Sequence, residues 1–161
     1  VMSAGLLQQI DSPKNLYDKP NNKFVAGFIG SPAINFFDAK ITKSDSKLLV
    51  DAGDFSVEIP KEKVKTYADY VGKSVTMGIR PEDIHDPAYT PGGIKPSNVN
   101  AKVGVTELMG NEIYAYLEKG PHNFVARLDP RSTFRFGDDV QVVFNMGNFH
   151  IFDNETEQAI R

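Results

Sequence analysis

The 161-residue chain contains no cysteine. That absence excludes a disulfide framework, a thiolate zinc site, an iron–sulfur site and a thiol nucleophile, and it permits a reducing compartment. Long apolar runs are missing too. The two richest stretches, 24–34 and 140–144, are interrupted by Gly, Ser and Pro or fall far short of the roughly 20 residues a bilayer span needs. The opening Val1-Met2-Ser3-Ala4-Gly5 has no basic region followed by an apolar run, so no secretory signal is visible and the cytoplasm is the expected location. No block of like charge stands out. Lys and Arg number 18 against 21 Asp and Glu, a net charge of −3 with pI ≈ 5.6, which weighs against nucleic acid as a partner because backbone binding needs a basic groove.

What is present suffices for one domain, or one domain plus a fragment of another. A chain of this size buries about 70% of the surface it exposes unfolded and needs no covalent staple. The first thirty residues differ from the rest. Ala4-Gly5 marks a tight turn between Val1-Met2 and Leu6-Leu7, predicting a short hairpin. Ser12-Pro13 supplies an N-cap and a proline at the first helical position, predicting a brief helix that ends before Pro20. Phe24, Val25, Phe28 and Ile29 recur at helical spacing before the Gly30-Ser31-Pro32 break, where a boundary is expected. A hairpin and two small helices cannot bury a core alone. They are therefore expected to be the tail of something larger that begins upstream of Val1.

From Asn35 onward nine short strands are predicted, over 36–42, 47–51, 55–59, 74–79, 98–108, 112–118, 123–128, 140–144 and 149–152. Regular Gly, Pro, Asn and Asp punctuation argues for a small barrel or sandwich. One helix over 61–70, with Val64, Tyr67, Ala68 and Val71 on one face and Gly72 as its C-terminal cap, would strap it. The expected fold is thus all-β with a minor helix, an OB-like barrel. Residues 86–96, with three Pro and two Gly, read as a mobile loop.

Chemistry-bearing patterns are few. Gly72-Lys73-Ser74 ends like a phosphate-binding loop, but Tyr67 stands where the earlier glycine belongs and the strand–loop–helix order is reversed. His85, His122 and His150 are too far apart to form a local metal pair and read as strand-end or surface residues. Glu82/Asp83 and Asp138/Asp139 read as solvated turn carboxylates, and no serine-nucleophile elbow occurs. Tyr114 and Tyr116 share one strand face, with Phe124 and Arg127 on opposite faces of the next strand. That pattern invites a single-strand nucleic-acid reading, which the acidic balance disfavours; tyrosines packed against a neighbouring domain or helix are expected instead.

The run Phe24-Val25-Ala26-Gly27-Phe28-Ile29-Gly30-Ser31-Pro32-Ala33-Ile34-Asn35-Phe36 is more specific. So are Gln8-Gln9-Ile10 with Pro13 and Tyr17, Gly78-Ile79-Arg80-Pro81-Glu82-Asp83-Ile84, Glu107-Leu108-Met109-Gly110-Asn111-Glu112, and Asn148-Phe149-His150-Ile151-Phe152-Asp153. Together they resemble the C-terminal portion of ATP-binding subunits of sugar-importing ABC transporters of the MalK, MsmK and UgpC type. The resemblance implies that residues 1–29 end a nucleotide-binding domain and that 30–161 form an OB-like TOBE regulatory domain. It implies no catalytic, cofactor or metal residue in this stretch, because the phosphate-binding loop, signature sequence, magnesium-binding strand and switch histidine of that family lie upstream. ATP and Mg would belong to the parent subunit, itself a sugar-transporting ATPase.

The implied partners are a second copy of the chain, the transporter membrane subunits reached through the parent ATPase domain, and in some bacteria a regulator of the sugar phosphotransferase system. The implied location is the inner face of the bacterial cell membrane, without insertion. On the same analogy Gly30, Ser31, Pro32, Asn35, Gly78, Arg80, Pro81, Glu82, Asp83, Gly110, Asn111 and Glu112 are expected to be interface or structural-corner residues, with Arg80 in a local ion pair with Glu82 or Asp83. A small-oxyanion module of the molybdate-binding TOBE kind is the alternative.

Overall fold

The computed structural model describes residues 1–161 and is mostly β. A two-stranded hairpin, β1 (Met2–Ser3) and β2 (Leu6–Leu7), turns through Ala4 and Gly5, both at positive φ, which glycine adopts freely. Helix α1 (Pro13–Asp18) starts where Ser12 Oγ accepts the Asn15 N–H, and α2 (Lys23–Phe28) where Asn22 Oδ1 accepts the Val25 N–H at 2.9 Å. The second helix buries only Val25 and Ala26.

The remaining strands are β3 (Asn35–Ser44), β4 (Lys47–Asp51), β5 (Ser56–Glu58), β6 (Ser74–Ile79), β7 (Ile84–His85), β8 (Pro96–Leu108), β9 (Ile113–Lys119), β10 (His122–Leu128), β11 (Asp139–Asn145) and β12 (His150–Asp153). They form two five-stranded sheets ordered β12-β6-β3-β4-β5 and β10-β9-β8-β11-β7, and every pairing in them is antiparallel. In β3 burial alternates, with Phe37, Ala39 and Ile41 inward and Asp38 and Lys40 outward. Phe37 joins the sheets: its ring meets Phe55 edge-on at 5.2 Å, Phe124 of β10 at 5.5 Å and Phe144 of β11 at 6.0 Å.

Three expectations need correction. The strapping helix over 61–70 is broken into a 3-10 turn (Lys61–Lys63), one α-turn, α3 (Val64–Tyr67), and a second 3-10 turn (Ala68–Tyr70). Only Tyr67 of it is buried, so too little apolar face exists to sustain a longer helix. Strand β7 is new, two residues held by β11 alone. The 86–96 loop is anchored rather than loose. Buried Asp86 accepts Ser132 Oγ–H at 2.6 Å and the Ala88 N–H at 2.9 Å, and Arg131 stacks on Tyr89.

Residues 1–29 rest on the β-structure. Ala26 packs with Ile34 and Phe152, the Lys23 N–H donates to Glu157 O at 2.9 Å, and the Ala159 N–H donates to Asn21 O at 2.8 Å.

Candidate functional site

Two places gather the residues singled out by sequence. The first is a joint. Arg80 follows β6 and is 3% exposed. Its Nη1 donates to Ile29 O at 2.8 Å and its Nη2 to Tyr17 O at 2.7 Å, while the guanidinium lies 3.7 Å from the Tyr17 ring centroid. No carboxylate lies within ion-pairing distance, so the expected local pair with Glu82 or Asp83 is not formed. The guanidinium instead bolts the 1–29 segment to the sheet, using planar donors that suit two carbonyls and an aromatic face. Burial lowers its pKa despite the charges of Asp83 and Asp18, and its buried Nε has no partner.

Gly30 accommodates this bolt. Its φ is +122°, and a Cβ there would sit 2.9 Å from Arg80 Nη1. The Ser31–Pro32 bond that follows is cis. Gly78 is the other close approach: an added Cβ would sit 2.9 Å from Ile34 Cδ1 and 3.1 Å from Phe152 Cε2. Pro81 opens a 3-10 turn (Pro81–Asp83) whose last residue bonds back to Arg80 O at 3.0 Å. Buried Asp83 accepts Asn145 Nδ2–H at 3.1 Å and Asn148 Nδ2–H at 2.7 Å, closing the corner against β11. Glu82 is half-buried there, and burial raises its carboxyl pKa. Asn35 works across the sheets: its Nδ2–H donates to Val125 O at 2.9 Å and its Oδ1 accepts the Val125 N–H at 2.8 Å. All of these are internal joints.

The second place is the far end of the β8–β9 ribbon. Gly110 at φ +91° and Asn111 form the turn, closed by Met109 N–H to Glu112 O at 2.8 Å. Glu112 pairs with Arg127 Nε at 2.8 Å across to β10. Around this turn the surface is apolar: Leu108 is 71% exposed, Val105 53% and Met109 52%. Tyr114 and Tyr116 do share the outward face, but they do not pack under another element of the chain. Tyr116 is exposed with its hydroxyl donating to Glu107 Oε2 at 3.0 Å, and Tyr114 lies near Glu112; these carboxylates raise the pKa of both phenols. A tyrosine face lined by carboxylates does not attract a phosphate backbone.

The joint's contacts were not legible beforehand, since Tyr17, Ile29 and Val125 lie 51 to 90 positions from their partners. The exposed residues 105–109 carried a weak signal, apolar residues beside a turn glycine. The three histidines are not brought together: His122 shares a hydrogen bond with Ala52 O and packs on Phe37, while His85 and His150 sit in separate sheets. Gly72-Lys73-Ser74 is a turn into β6, its Gly72 N–H bonded to Ile41 O at 2.7 Å.

The MalK OB fold domain matches residues 30–84, and the TOBE domain matches residues 77–152. This chain belongs to that MalK-type OB and TOBE family. Family members similar over its whole length are the oligosaccharides import ATP-binding protein MsmX of Bacillus subtilis (strain 168), 44% identical over 163 residues, and the trehalose/maltose import ATP-binding protein MalK of Thermococcus litoralis, 42% identical over 163 residues. The multiple sugar-binding transport ATP-binding protein MsmK of Streptococcus mutans is 40% identical over 161 residues. The matches cover 99–100% of this chain but only 42–44% of those proteins. The fold also resembles the cytoplasmic molybdate-binding protein ModG, with a TM-score of 0.53 over 73% of this chain and 94% of that one at 10% identity. That likeness concerns the fold. No helix is long and apolar enough to cross a membrane.

Proposed function

We propose that this chain is the regulatory and dimerisation portion of the ATP-binding subunit of a carbohydrate-importing ABC transporter. Residues 1–29 would be the end of its nucleotide-binding domain and 30–161 its OB-like TOBE domain. The observation that carries the reading is the similarity of the whole of this chain to part of three sugar-import ATP-binding proteins, joined to a structure whose distinctive side chains build joints and an exposed apolar rim. The fragment works without ATP turnover; ATP and Mg belong to the parent subunit, which acts as the transport ATPase with membrane subunits at the inner face of the cell membrane. A contact that persists between two such portions raises the effective concentration of one ATPase half for the other after each hydrolysis cycle. A phosphotransferase-system regulator is the further partner this reading admits.

The Arg80 bolt suits the role. A rigid joint between the tail of the ATPase domain and the sheet transmits motion that a flexible linker would absorb.

The test is a chimera in which this chain replaces its similar stretch in the Bacillus subtilis oligosaccharide-import protein. A folded chimera that dimerises and restores sugar import supports the proposal. A folded chimera that hydrolyses ATP only as a monomer and restores no import refutes it.

A further inference from the structure

Beside the Arg80 joint lies a cleft of about 910 Å³. One wall is the end of α1 and the residue after it, Tyr17 to Lys19; the other is β-structure, the turn at Gly147 and the start of β12. Its volume falls within the roughly 300–1,000 Å³ of small-molecule sites and far exceeds what a bare inorganic ion fills. Part of the lining is apolar and aromatic. The rings of Tyr67 and Phe149 lie 5.6 Å apart, with Ile151 and Ile160 beside them in the wall.

The charge of the cleft is unbalanced. Lys19, Lys63, Arg80 and Arg161 all line it, and none has a carboxylate within 4.0 Å. Their partners are neutral carbonyls: Lys63 Nζ donates to Gly147 O at 2.7 Å, Arg161 Nη2 to Lys19 O at 2.7 Å, and both Arg80 Nη atoms to Ile29 O and Tyr17 O. Carbonyls satisfy hydrogen bonds without cancelling charge. Of the acids in the lining, Asp18 is paired with Lys14 outside this set, Asp83 is occupied by Asn145 and Asn148, and Glu82 is half-buried with its carboxyl pKa raised. Donors are left over as well. Arg80 Nε is buried without a partner, and Lys63 has one listed acceptor for three N–H groups. His150, in the same lining, registers the field: burial, then Arg80, Lys63 and Arg161, hold its pKa down at about 4, with Asp18 opposing.

We propose that this cleft binds a small organic phosphate monoester, its phosphate held by Lys19, Lys63 and Arg161 and its body lying against Tyr67 and Phe149. A phosphate monoester supplies up to two negative charges and three acceptor oxygens, which suits several cations lacking an anion. The aromatic wall gives the organic body a surface that inorganic phosphate would leave uncovered. Such a ligand would touch the 1–29 segment through Lys19 and the β-structure through Lys63 and Phe149, so binding would tighten the joint that Arg80 makes. It would also place negative charge beside His150 and raise the pKa of that imidazole from about 4.

The test titrates the chain at low salt with glucose 6-phosphate, inorganic phosphate and glucose, followed by calorimetry, by the amide resonances and by thermal melting. Glucose 6-phosphate is expected to bind, to shift the Thr66, Asn148 and His150 amides, and to raise the melting temperature by about 5–10 °C at a hundredfold excess over Kd. The imidazole of His150, titrated by NMR with and without that ligand, should show the higher pKa in its presence. Glucose should not bind, and inorganic phosphate should bind at least tenfold more weakly. Lys63→Gln should weaken glucose 6-phosphate at least tenfold, and Lys102→Gln, outside the cleft, should leave it unchanged. If Lys63→Gln fails to fold, Lys19→Gln decides, because Lys19 is exposed and its side chain holds nothing else in place. Inorganic phosphate binding as tightly as the ester would overturn the organic ligand. No binding of glucose 6-phosphate, or binding that Lys63→Gln and Lys19→Gln leave unchanged, would overturn the site.

Discussion

Replacing Arg80 with alanine tests whether the 1–29 segment is bolted to the sheet or merely leans on it. The side chain gives two hydrogen bonds from a charged donor, at 2.8 and 2.7 Å, to Ile29 O and Tyr17 O. Such bonds are worth about 1.5–3 kcal/mol each, and the stack on Tyr17 about 0.5–2 kcal/mol more. Against this, the variant recovers the cost of burying a cation whose Nε is unpartnered, several kcal/mol for an ion in a dry site. The net loss is about 2–4 kcal/mol. A chain of this length loses roughly 2–4 °C of melting temperature per kcal/mol, so Arg80→Ala should melt about 5–15 °C lower. Hydrogen exchange adds the local readout. The Lys19 and Ile29 amides, bonded to Asn15 O and Val25 O, should lose protection more than amides of the Phe37 core. Arg80→Lys should recover little, since an ammonium cannot span both carbonyls and stack on the ring. A melting temperature within about 1 °C of the parent, with unchanged exchange at Lys19 and Ile29, would refute the bolt.

Further outcomes follow from the same geometry. Asn35→Ala strips both partners from the Val125 backbone and should cost about 2 kcal/mol, read by chemical denaturation. Gly78→Val must displace Ile34 and Phe152 and should cost about 1–3 kcal/mol; equal stability would show that the contact is slack. Burial, with Arg80, Lys63 and Arg161 nearby, holds the folded-state pKa of His150 down at about 4, against an ordinary value of 6.5. Between those values the unfolded chain binds the extra proton, so His150 weakens the fold as pH falls from 6.5 to 4, by about 3 kcal/mol in all. His150→Gln should flatten that part of the stability–pH curve, and an unchanged slope would remove His150 as its cause.

Much of the strand framework was legible. β4 and β6 coincide with the apolar runs at 47–51 and 74–79, and β3 announces itself through strict alternation from Phe37 to Ile41. Local chemistry also read correctly at Ser12, where a cap precedes a proline. What failed was non-local. Arg80 beside Glu82 and Asp83 reads as a local ion pair, and only folding reveals that carbonyls 51 and 63 positions away receive it. The two-residue β7 has no period to detect, and 61–70 kept a helical spacing while burying too little of it. That β8 runs on past Lys102, where its pairing with β11 stops, was invisible for a related reason. An edge is defined by where the neighbouring strand stops, and the register of β11 against β8 is not written in either strand alone.

As a proposed association module, this chain should self-associate on its own. Sedimentation equilibrium of the unmodified chain from micromolar to millimolar concentration tests it most directly. The prediction is a reversible rise from the 17.8 kDa protomer mass to twice that value, closing at the dimer because a two-fold interface uses the same patch on both copies. A mass that holds at 17.8 kDa across the whole range would contradict it.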